Sequence, residues 1–516
     1  MASFTAWKVF RILADRRQNG WFSIVRSSIV RSLVVGFAMS CAACGAVDAR
    51  GHGEEHGVRG FWVAPDWLLP SGGELDAASV QSRVRHVMDR VREKGGTDLF
   101  MEVFLRGYHV GTAIDGAPVY PKLLGPDGSP RFDLLQIVLD EAEPRGLQVH
   151  GWFHVFYWRT DNIELVKPGH AGPSVFDRLL DQYLAGVQPG LKSSSVSDLV
   201  RDVRDVLSSG FLDDRLRDRV RAHGFDPKEG TLQSILDVVR QEGVDAPDFL
   251  LTNGAGQLHP PIAEDRWKAI YLSPASEAVS EIVVDQARKI LETYPKLAGL
   301  HLDHVRYPAS PRGLRRGEGQ LVEGASIKGP EKAALREVWL QERRERESAV
   351  TAVVDRIRQV VPRDKAFSAA VHPMYYYHRD DWTEKLEAPN FIAQDWYSWE
   401  MDFVAPMAYK ADGARVGRIL KRLRFGLLER WNDSPEHRAG PPPRIVPGTD
   451  RMELVGKSSP FDEWASFDFH QFEWVDQPDS PAGKSPERDS PKENRRERNT
   501  PRKERKTAPP CHEAFR

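Results

Sequence analysis

The stretch LAGLHLDHVRYP, residues 297–308, begins as an apolar run and ends in polar side chains. A continuous apolar run of this length predicts a strand that is buried on both faces, as strands of parallel sheets are. His301 and Asp303 share one face of that strand because side chains alternate, and Arg306 and Tyr307 follow where the strand should end. Polar groups at the end of a buried strand predict a functional site.

Strand and helix patterns alternate on both sides of this stretch. Similar apolar runs predict strands at 59–65, 98–107, 147–156, 366–374, 402–409 and 444–448, with a further strand near 465–472. Helical spacing of apolar residues predicts helices at 77–94, 132–143, 277–293, 331–361 and 416–431. This alternation favours an α/β fold of the (β/α)8 TIM-barrel type. An open doubly wound sheet is the alternative, although no glycine-rich phosphate loop follows the first strand.

Three further segments complete the predicted organisation. The barrel domain is expected at 58–475, and residues 160–270 are expected to be an insertion with helical parts after the third strand. In a barrel, that loop leaves the edge at which active sites lie, so the insertion should flank or roof the site. Residues 476–516 are rich in proline, serine and charge, which predicts a disordered tail.

The N-terminal residues 1–47 have the pattern of an export leader. Arg26 and Arg31 precede an apolar run at 32–43, which is too short to span a bilayer as a helix. Cys44 follows small residues, as in a lipoprotein cleavage box, so a lipid-anchored envelope protein and a secreted protein are both consistent with the pattern. The alternative is an amphipathic N-terminus in a cytosolic protein.

Composition excludes several classes of function. The net charge of −2 over 516 residues gives no general attraction to nucleic acid. The cysteines, Cys41, Cys44 and Cys511, all lie outside the predicted barrel, which excludes a disulfide framework, a thiolate metal site and a cysteine nucleophile within it. No cofactor is expected, and the sequence does not indicate an oligomeric state.

The carboxyl ends of the predicted strands provide the candidate site residues, because active sites of TIM barrels lie at that edge. The candidate catalytic carboxyl groups are those of Asp303, Glu102 and, in reserve, Asp450. The candidate substrate-binding residues are polar or aromatic and come from the second to sixth strands: Arg106, His150, Trp152, His154, His301, Arg306, Tyr307, His372 and Tyr409.

Four segments in order resemble a known family. GLHLDHVRYP (299–308), LQVHGWFHVF (147–156), YLSPASEAVSEIVVDQARKIL (271–291) and QDWYSWEMDFVAPMAY (394–409) are similar to motifs of the bacterial glycosyl-hydrolase-like family ten. The resemblance implies a TIM barrel, a polysaccharide or oligosaccharide substrate such as cell-wall glycan, and export to the cell envelope. The sequence departs from the family at Glu102, in a strand that often reads QVR there, and at His154, where asparagine is frequent.

Glycoside hydrolysis requires two carboxyl groups across the scissile bond. Asp303 beside Arg306 suits the nucleophile or base, since a nearby guanidinium favours the carboxylate. The acid needs dry surroundings that raise its pKa. Glu102 is expected to share a face with Phe100 and Phe104 and so to meet that need. The predicted function is therefore an exported glycoside hydrolase.

Two alternatives remain open at this level. His150, His154, His301, Asp303 and His372 also suit a metal-dependent barrel hydrolase, although their spacing matches no recognised metal motif. The other alternative is a non-catalytic glycan-binding envelope protein that has kept the barrel.

Overall fold

The computed structural model describes the chain in blocks. The described residues are 57–69, 75–160, 173–209, 222, 231–252, 258, 269–308, 330–373, 392–409, 413–433, 442–449, 454 and 461–466. The predicted leader at 1–47, the predicted tail at 476–516 and the reserve carboxyl group of Asp450 lie outside the described residues.

Strands and helices follow one another along the described residues. The strands are β1 (Arg59–Val63), β2 (Asp98–Leu105), β3 (Tyr108–His109), β4 (Gln148–His154), β5 (Tyr157–Thr160), β6 (Ala269–Tyr271), β7 (Gly299–Asp303), β8 (Ala366–Val371), β9 (Phe403–Pro406), β10 (Arg444–Ile445), β11 (Gly448–Thr449) and β12 (Trp464–Ser466). The helices are α1 (Pro65–Leu68), α2 (Ala77–Glu93), α3 (Leu134–Ala142), α4 (Val175–Val187), α5 (Ser194–Ser209), α6 (Thr231–Gln241), α7 (Glu277–Thr293), α8 (Pro330–Val360) and α9 (Gly413–Asp433).

The main sheet is parallel along its path. Hydrogen bonds link its strands in the order β10, β9, β8, β7, β4, β2, β1, β12 and β11, and β3 adds to β2 in the antiparallel sense. Helices α2 and α3 lie between successive strands in the chain, as do α7, α8 and α9. This is the α/β alternation predicted from the sequence.

Proline explains the break between β10 and β11. Both belong to the stretch 444–449, and Pro447 interrupts them because it has no N–H for the ladder. β10 pairs with β9, whereas β11 pairs with β12, which in turn pairs with β1. The two ends of the hydrogen-bonded order therefore lie within one short stretch of chain. The sheet is curled, as in a TIM-like fold.

The helices cover the sheet with the apolar faces expected from their sequences. In α2, the residues predicted at helical spacing are buried, and the Asp76 side chain caps the helix by accepting from the backbone N–H of Ser79. Inside the curl, buried side chains from several strands form one cluster: Val58, Trp62, Phe100, Trp152, Ala370, Phe403, Ala405, Val446 and Ala465.

The interval between β5 and β6 contains helices α4, α5 and α6. β5 and β6 pair with each other in the antiparallel sense. These helices agree with the helical parts expected in this interval, of which residues 161–172, 210–221 and 223–230 lie outside the described residues. Within the described parts of the chain, none of the helices combines the length and apolar character that crossing a membrane requires.

Candidate active site

Asp303 is the last residue of β7 and lies at the carboxyl edge of the sheet, opposite His154 of β4. Its side chain is 8% exposed. One carboxyl oxygen, Oδ2, accepts a hydrogen bond from the indole N–H of Trp152 at 3.1 Å. The other, Oδ1, accepts from the backbone N–H of His304 at 2.6 Å. The carboxyl group is thus fixed by donors from two adjacent strands.

These surroundings favour the carboxylate form of Asp303. Burial alone would raise its pKa, but contacts with His304 and His154, the backbone N–H of His304 and the charge of Arg306 outweigh burial and hold the pKa below the usual value. Asp303 is therefore an anion at neutral pH.

Glu102 lies on β2, three residues before that strand ends, and a β-bulge determines what surrounds it. Glu102 pairs with Trp152, but the register shifts before Phe104, which pairs with Phe153. The Phe104 ring stacks on Phe153 with centroids 4.6 Å apart. The expectation that Phe104 shares a face with Glu102 is therefore wrong, because the extra residue of a bulge reverses the alternation. Glu102 is nonetheless only 4% exposed.

His154 lies between the two carboxyl groups. Its Nε2 atom is 3.0 Å from Oε1 of Glu102, although this contact does not have hydrogen-bond geometry. One ring nitrogen of His154, one oxygen of Asp303 and one ring nitrogen of His304 all lie within 4.8 Å of one another. The imidazole of His154 therefore lies close to Glu102, Asp303 and His304.

His304 belongs to this cluster, although we did not predict it from the sequence. Its backbone has φ +50°, and its ring stacks on Tyr157 with centroids 4.8 Å apart. Burial lowers the pKa of His304 to about 3, so its imidazole is neutral at neutral pH. The backbone N–H of His304 and the indole of Trp152 donate to the Asp303 carboxylate in either protonation state of that imidazole.

Two arginines flank the cluster. Arg106 is exposed, has φ +54° and lies over the Tyr157 ring at 5.5 Å. Arg306 is half-buried and donates from Nη1 to the backbone carbonyl of Tyr307. The Tyr307 ring itself is buried under the Arg346 guanidinium of α8, at 4.7 Å. Tyr307 is therefore part of the packing between sheet and helix rather than an open stacking surface.

His150 and His301 lie inside the curl, away from the edge. His150 is buried, and its Nε2 is 3.0 Å from Oδ1 of Asp98, at the start of β2. His301 is fully buried, with Nδ1 2.9 Å from the hydroxyl of Ser368 and its ring 4.4 Å from Phe100. Burial lowers the pKa of His301 to about 3. Both histidines are part of the packed interior, so we leave them out of the candidate site.

His372 and Tyr409 follow β8 and β9 and are half-buried. The backbone N–H of His372 donates to Oε1 of Gln394. Burial, with the charge of Arg306, lowers the pKa of His372 to about 4. The charge of Arg306 therefore acts on both His372 and Asp303. A separate groove of about 660 Å³ between α7 and α8 shares no lining residue with the cluster around Asp303.

The matches to known proteins are structural. No protein family and no curated protein matches the sequence. One similar solved structure is the glycoside hydrolase domain of PgaB (BpsB) from Bordetella bronchiseptica, with 12% identity, a TM-score of 0.39 and coverage of 80% of this chain and 95% of that one. Another is a hypothetical protein from Ruminiclostridium thermocellum, with 10% identity, a TM-score of 0.27 and coverage of 60% and 96%. A third is the α-galactosidase of Thermus thermophilus in complex with stachyose, with 14% identity, a TM-score of 0.27 and coverage of 61% and 40%. At these identities and scores, the likeness assigns neither a family nor an activity to the chain.

Proposed function

We propose that this protein hydrolyses O-glycosidic bonds of a polysaccharide by means of two carboxyl groups, those of Asp303 and Glu102. One observation carries the proposal. Two buried carboxyl groups from separate strands of a curled parallel sheet lie close to one imidazole, and one of them, Asp303, ends its strand at the carboxyl edge. That edge is where TIM-barrel enzymes place their catalytic groups.

Both carboxyl groups approach the same imidazole. Nε2 of His154 lies 3.0 Å from Glu102, and one ring nitrogen of His154 lies within 4.8 Å of an oxygen of Asp303. Glycosidases place their carboxyl groups roughly 5 to 9.5 Å apart, with the shorter separation for a nucleophile and the longer for a water-activating base. We propose that the Asp303 and Glu102 carboxyl groups have a separation in this range, with a glycosidic oxygen between them.

The surroundings distinguish the roles of the two groups. Asp303 is held as an anion by N–H donors and the charge of Arg306, which suits a nucleophile or base. Glu102 is buried beside His154, on a strand separate from that of Asp303. We assign proton donation to the leaving oxygen to Glu102. Arg106 and Tyr157, at the rim, are assigned to substrate contact.

The wider setting is part of the same proposal. The stretch 444–449 counts as one strand in two parts, so the curled sheet is an eight-stranded (β/α) barrel, and the helices between β5 and β6 are an insertion at its carboxyl edge. The N-terminal leader directs export to the envelope, with or without a lipid on Cys44, and the substrate is a glycan of the cell wall. Mass spectrometry of the mature N-terminus from fractionated cells tests the export and the lipid.

A panel experiment tests the activity. Purified protein is incubated with cell-wall glycan strands and with plant polysaccharides, and the products are identified by mass spectrometry. The proposal predicts shortened oligosaccharides with the wild type, and a loss of at least about 100-fold in rate with Glu102→Gln, the usual range for general acid catalysis. Binding of a glycan without cleavage would instead indicate a non-catalytic glycan-binding protein.

A further inference from the structure

We infer that His154, Asp303 and His304 form a binding site for one divalent transition-metal ion. Each residue offers one ligand atom, and the three atoms lie within 4.8 Å of one another. The residues come from the ends of β4 and β7, which are adjacent in the sheet. The sheet pairing places His154 opposite Asp303, and the turn at φ +50° places His304 beside them.

The donor set indicates the class of ion. Two imidazoles and one carboxylate suit Zn²⁺, Fe²⁺, Mn²⁺ or Co²⁺, whereas Mg²⁺ and Ca²⁺ prefer oxygen ligands only. Three protein ligands leave further positions open, as in catalytic rather than structural zinc sites. Zn²⁺ is therefore the first ion to test.

Unpartnered nitrogens in the same residues are an independent indication. His154 is 5% exposed, yet neither of its ring nitrogens makes a hydrogen bond. Nδ1 of His304 is also buried without a hydrogen-bond partner. A buried polar atom without a partner costs about 1 to 3 kcal/mol, and proteins rarely keep several of them in one place. A bound cation would use the imidazole lone pairs that the protein leaves unpaired.

The groups around these three residues suit a metal site as well. Metal ligands are usually oriented by neighbouring hydrogen-bond partners, often a carboxylate on the second nitrogen of a histidine. The Trp152 indole donates to Asp303, and Glu102 lies 3.0 Å from Nε2 of His154, although without hydrogen-bond geometry. Each carboxylate oxygen of Asp303 accepts one hydrogen bond and so retains a lone pair for a cation.

The cation site goes beyond the proposed function and can be tested without it, and an ion bound there would use the Asp303 carboxylate as a ligand in place of its proposed catalytic role. A cation with open positions at the glycosidase edge would bind neighbouring hydroxyl groups of a sugar and orient it against Glu102. Whether the three residues bind an ion does not depend on whether the protein cleaves a glycan. The test of the cation site is therefore binding in the absence of substrate.

Calorimetric titration of the chelator-treated full-length chain with Zn²⁺ tests the inference, with Co²⁺ absorption spectra as a second readout of coordination. We expect one Zn²⁺ per chain and a rise in Tm on binding. The affinity should fall at least about 100-fold in His154→Gln and in His304→Asn. Asparagine is chosen because it tolerates positive φ. His372→Gln, which removes a histidine that follows β8 and lies outside the triad, is the matched control and should bind like the wild type.

Two results would overturn the cation site: no Zn²⁺ binding by a folded wild type, or binding that is unchanged in both triad variants. Either result leaves the glycosidase proposal standing if cleavage is seen. Conversely, metal binding with the expected variant pattern but no cleavage of any glycan overturns the proposed function alone.

Discussion

At the scale of single residues, the account depends on how Asp303 is held. Its two oxygens accept hydrogen bonds from the Trp152 indole and the His304 backbone, so its position follows from the pairing of β4 with β7. A carboxylate fixed in this way needs no reorganisation when a substrate arrives, which is how enzymes obtain much of their electrostatic stabilisation.

Removal of the indole donor tests this arrangement. Trp152→Phe keeps an aromatic ring in the interior and removes the N–H that faces Asp303. A hydrogen bond to a charged group contributes about 1.5 to 3 kcal/mol, so we expect glycan cleavage to slow by roughly 10- to 100-fold. Steady-state rates on the substrate found by the panel are the measurement.

The matched control is Trp62→Phe, in the same interior cluster as Trp152. Trp62→Phe makes the same reduction in ring size but keeps the indole that donates to Asp303. The rate of glycan cleavage by this variant should stay close to that of the wild type. Equal losses in the two variants would show that packing, rather than the hydrogen bond, matters at this position.

The site could be predicted from the sequence only in part. Asp303 and Glu102 follow from the strand patterns and the rule that TIM-barrel sites lie at the carboxyl edge. The place of His304 in the cluster and the orientation of Phe104 do not follow from those patterns. The alternation rule ends where β7 ends, at Asp303, and the bulge in β2 reverses it before Phe104. Both departures depend on neighbouring strands and have no local signal.

At the scale of elements, a buried carboxylate ties helix α3 to helix α2. Glu141 of α3 accepts from Arg85 and Gln81 of α2 and pairs with Arg145. Hydrogen bonds from Arg85 lead the causes that lower its pKa to about 2, against the effect of burial. A carboxyl group with a pKa lower in the folded than in the unfolded chain stabilises the fold above its unfolded pKa of 4.5 and loses that contribution as the pH falls toward 2.

Glu141→Gln should therefore lower the free energy of unfolding by about 1 to 2 kcal/mol at pH 7, a discounted value because water screens the half-exposed Arg85. The difference from the wild type should shrink as the pH falls below 4.5 toward 2. Urea denaturation at a series of pH values measures this difference in the free energy of unfolding.

The control is Asp89→Asn, which removes an exposed partner of Arg145 and should change the free energy of unfolding by less than about 1 kcal/mol. A loss in Glu141→Gln that does not vary with pH would contradict the assignment.

A close approach of two strands requires glycine at the start of β7. A Cβ atom at Gly299 would lie 2.2 Å from the backbone carbonyl oxygen of Ala366 in β8. Because that neighbour is backbone and cannot turn away, Gly299→Ala should lower the free energy of unfolding by more than about 3 kcal/mol. Thermal unfolding and soluble yield are the measurements.

Gly186 in α4 provides the contrast, since no heavy atom lies within 4 Å of its added Cβ. Gly186→Ala should raise stability by about 0.5 to 1 kcal/mol, because alanine favours the helix. A Gly299→Ala protein as stable as the wild type would mean that β7 and β8 are not packed as closely as described.

At the scale of the whole molecule, the alternation of strands and helices was predictable because buried parallel strands and amphipathic helices have distinct periods. The helix expected at 331–361 is α8, Pro330–Val360. The strand expected at 444–448 is divided into β10 and β11, and the short strands β3, β5 and β6 were not predicted. Strands of two to four residues are defined by their partners rather than by their own pattern. Only the folded sheet determines them.

The central claim is that Asp303, at the carboxyl edge of the curled sheet, is an ionised catalytic residue that acts on a bound glycan. The most direct measurement compares the cleavage of glycan strands by the wild type and by Asp303→Asn, which keeps the shape of the side chain and removes its charge. The account predicts cleavage by the wild type and a loss of at least about 100-fold in the variant, with similar thermal unfolding of both proteins. Cleavage by Asp303→Asn at the wild-type rate would contradict it.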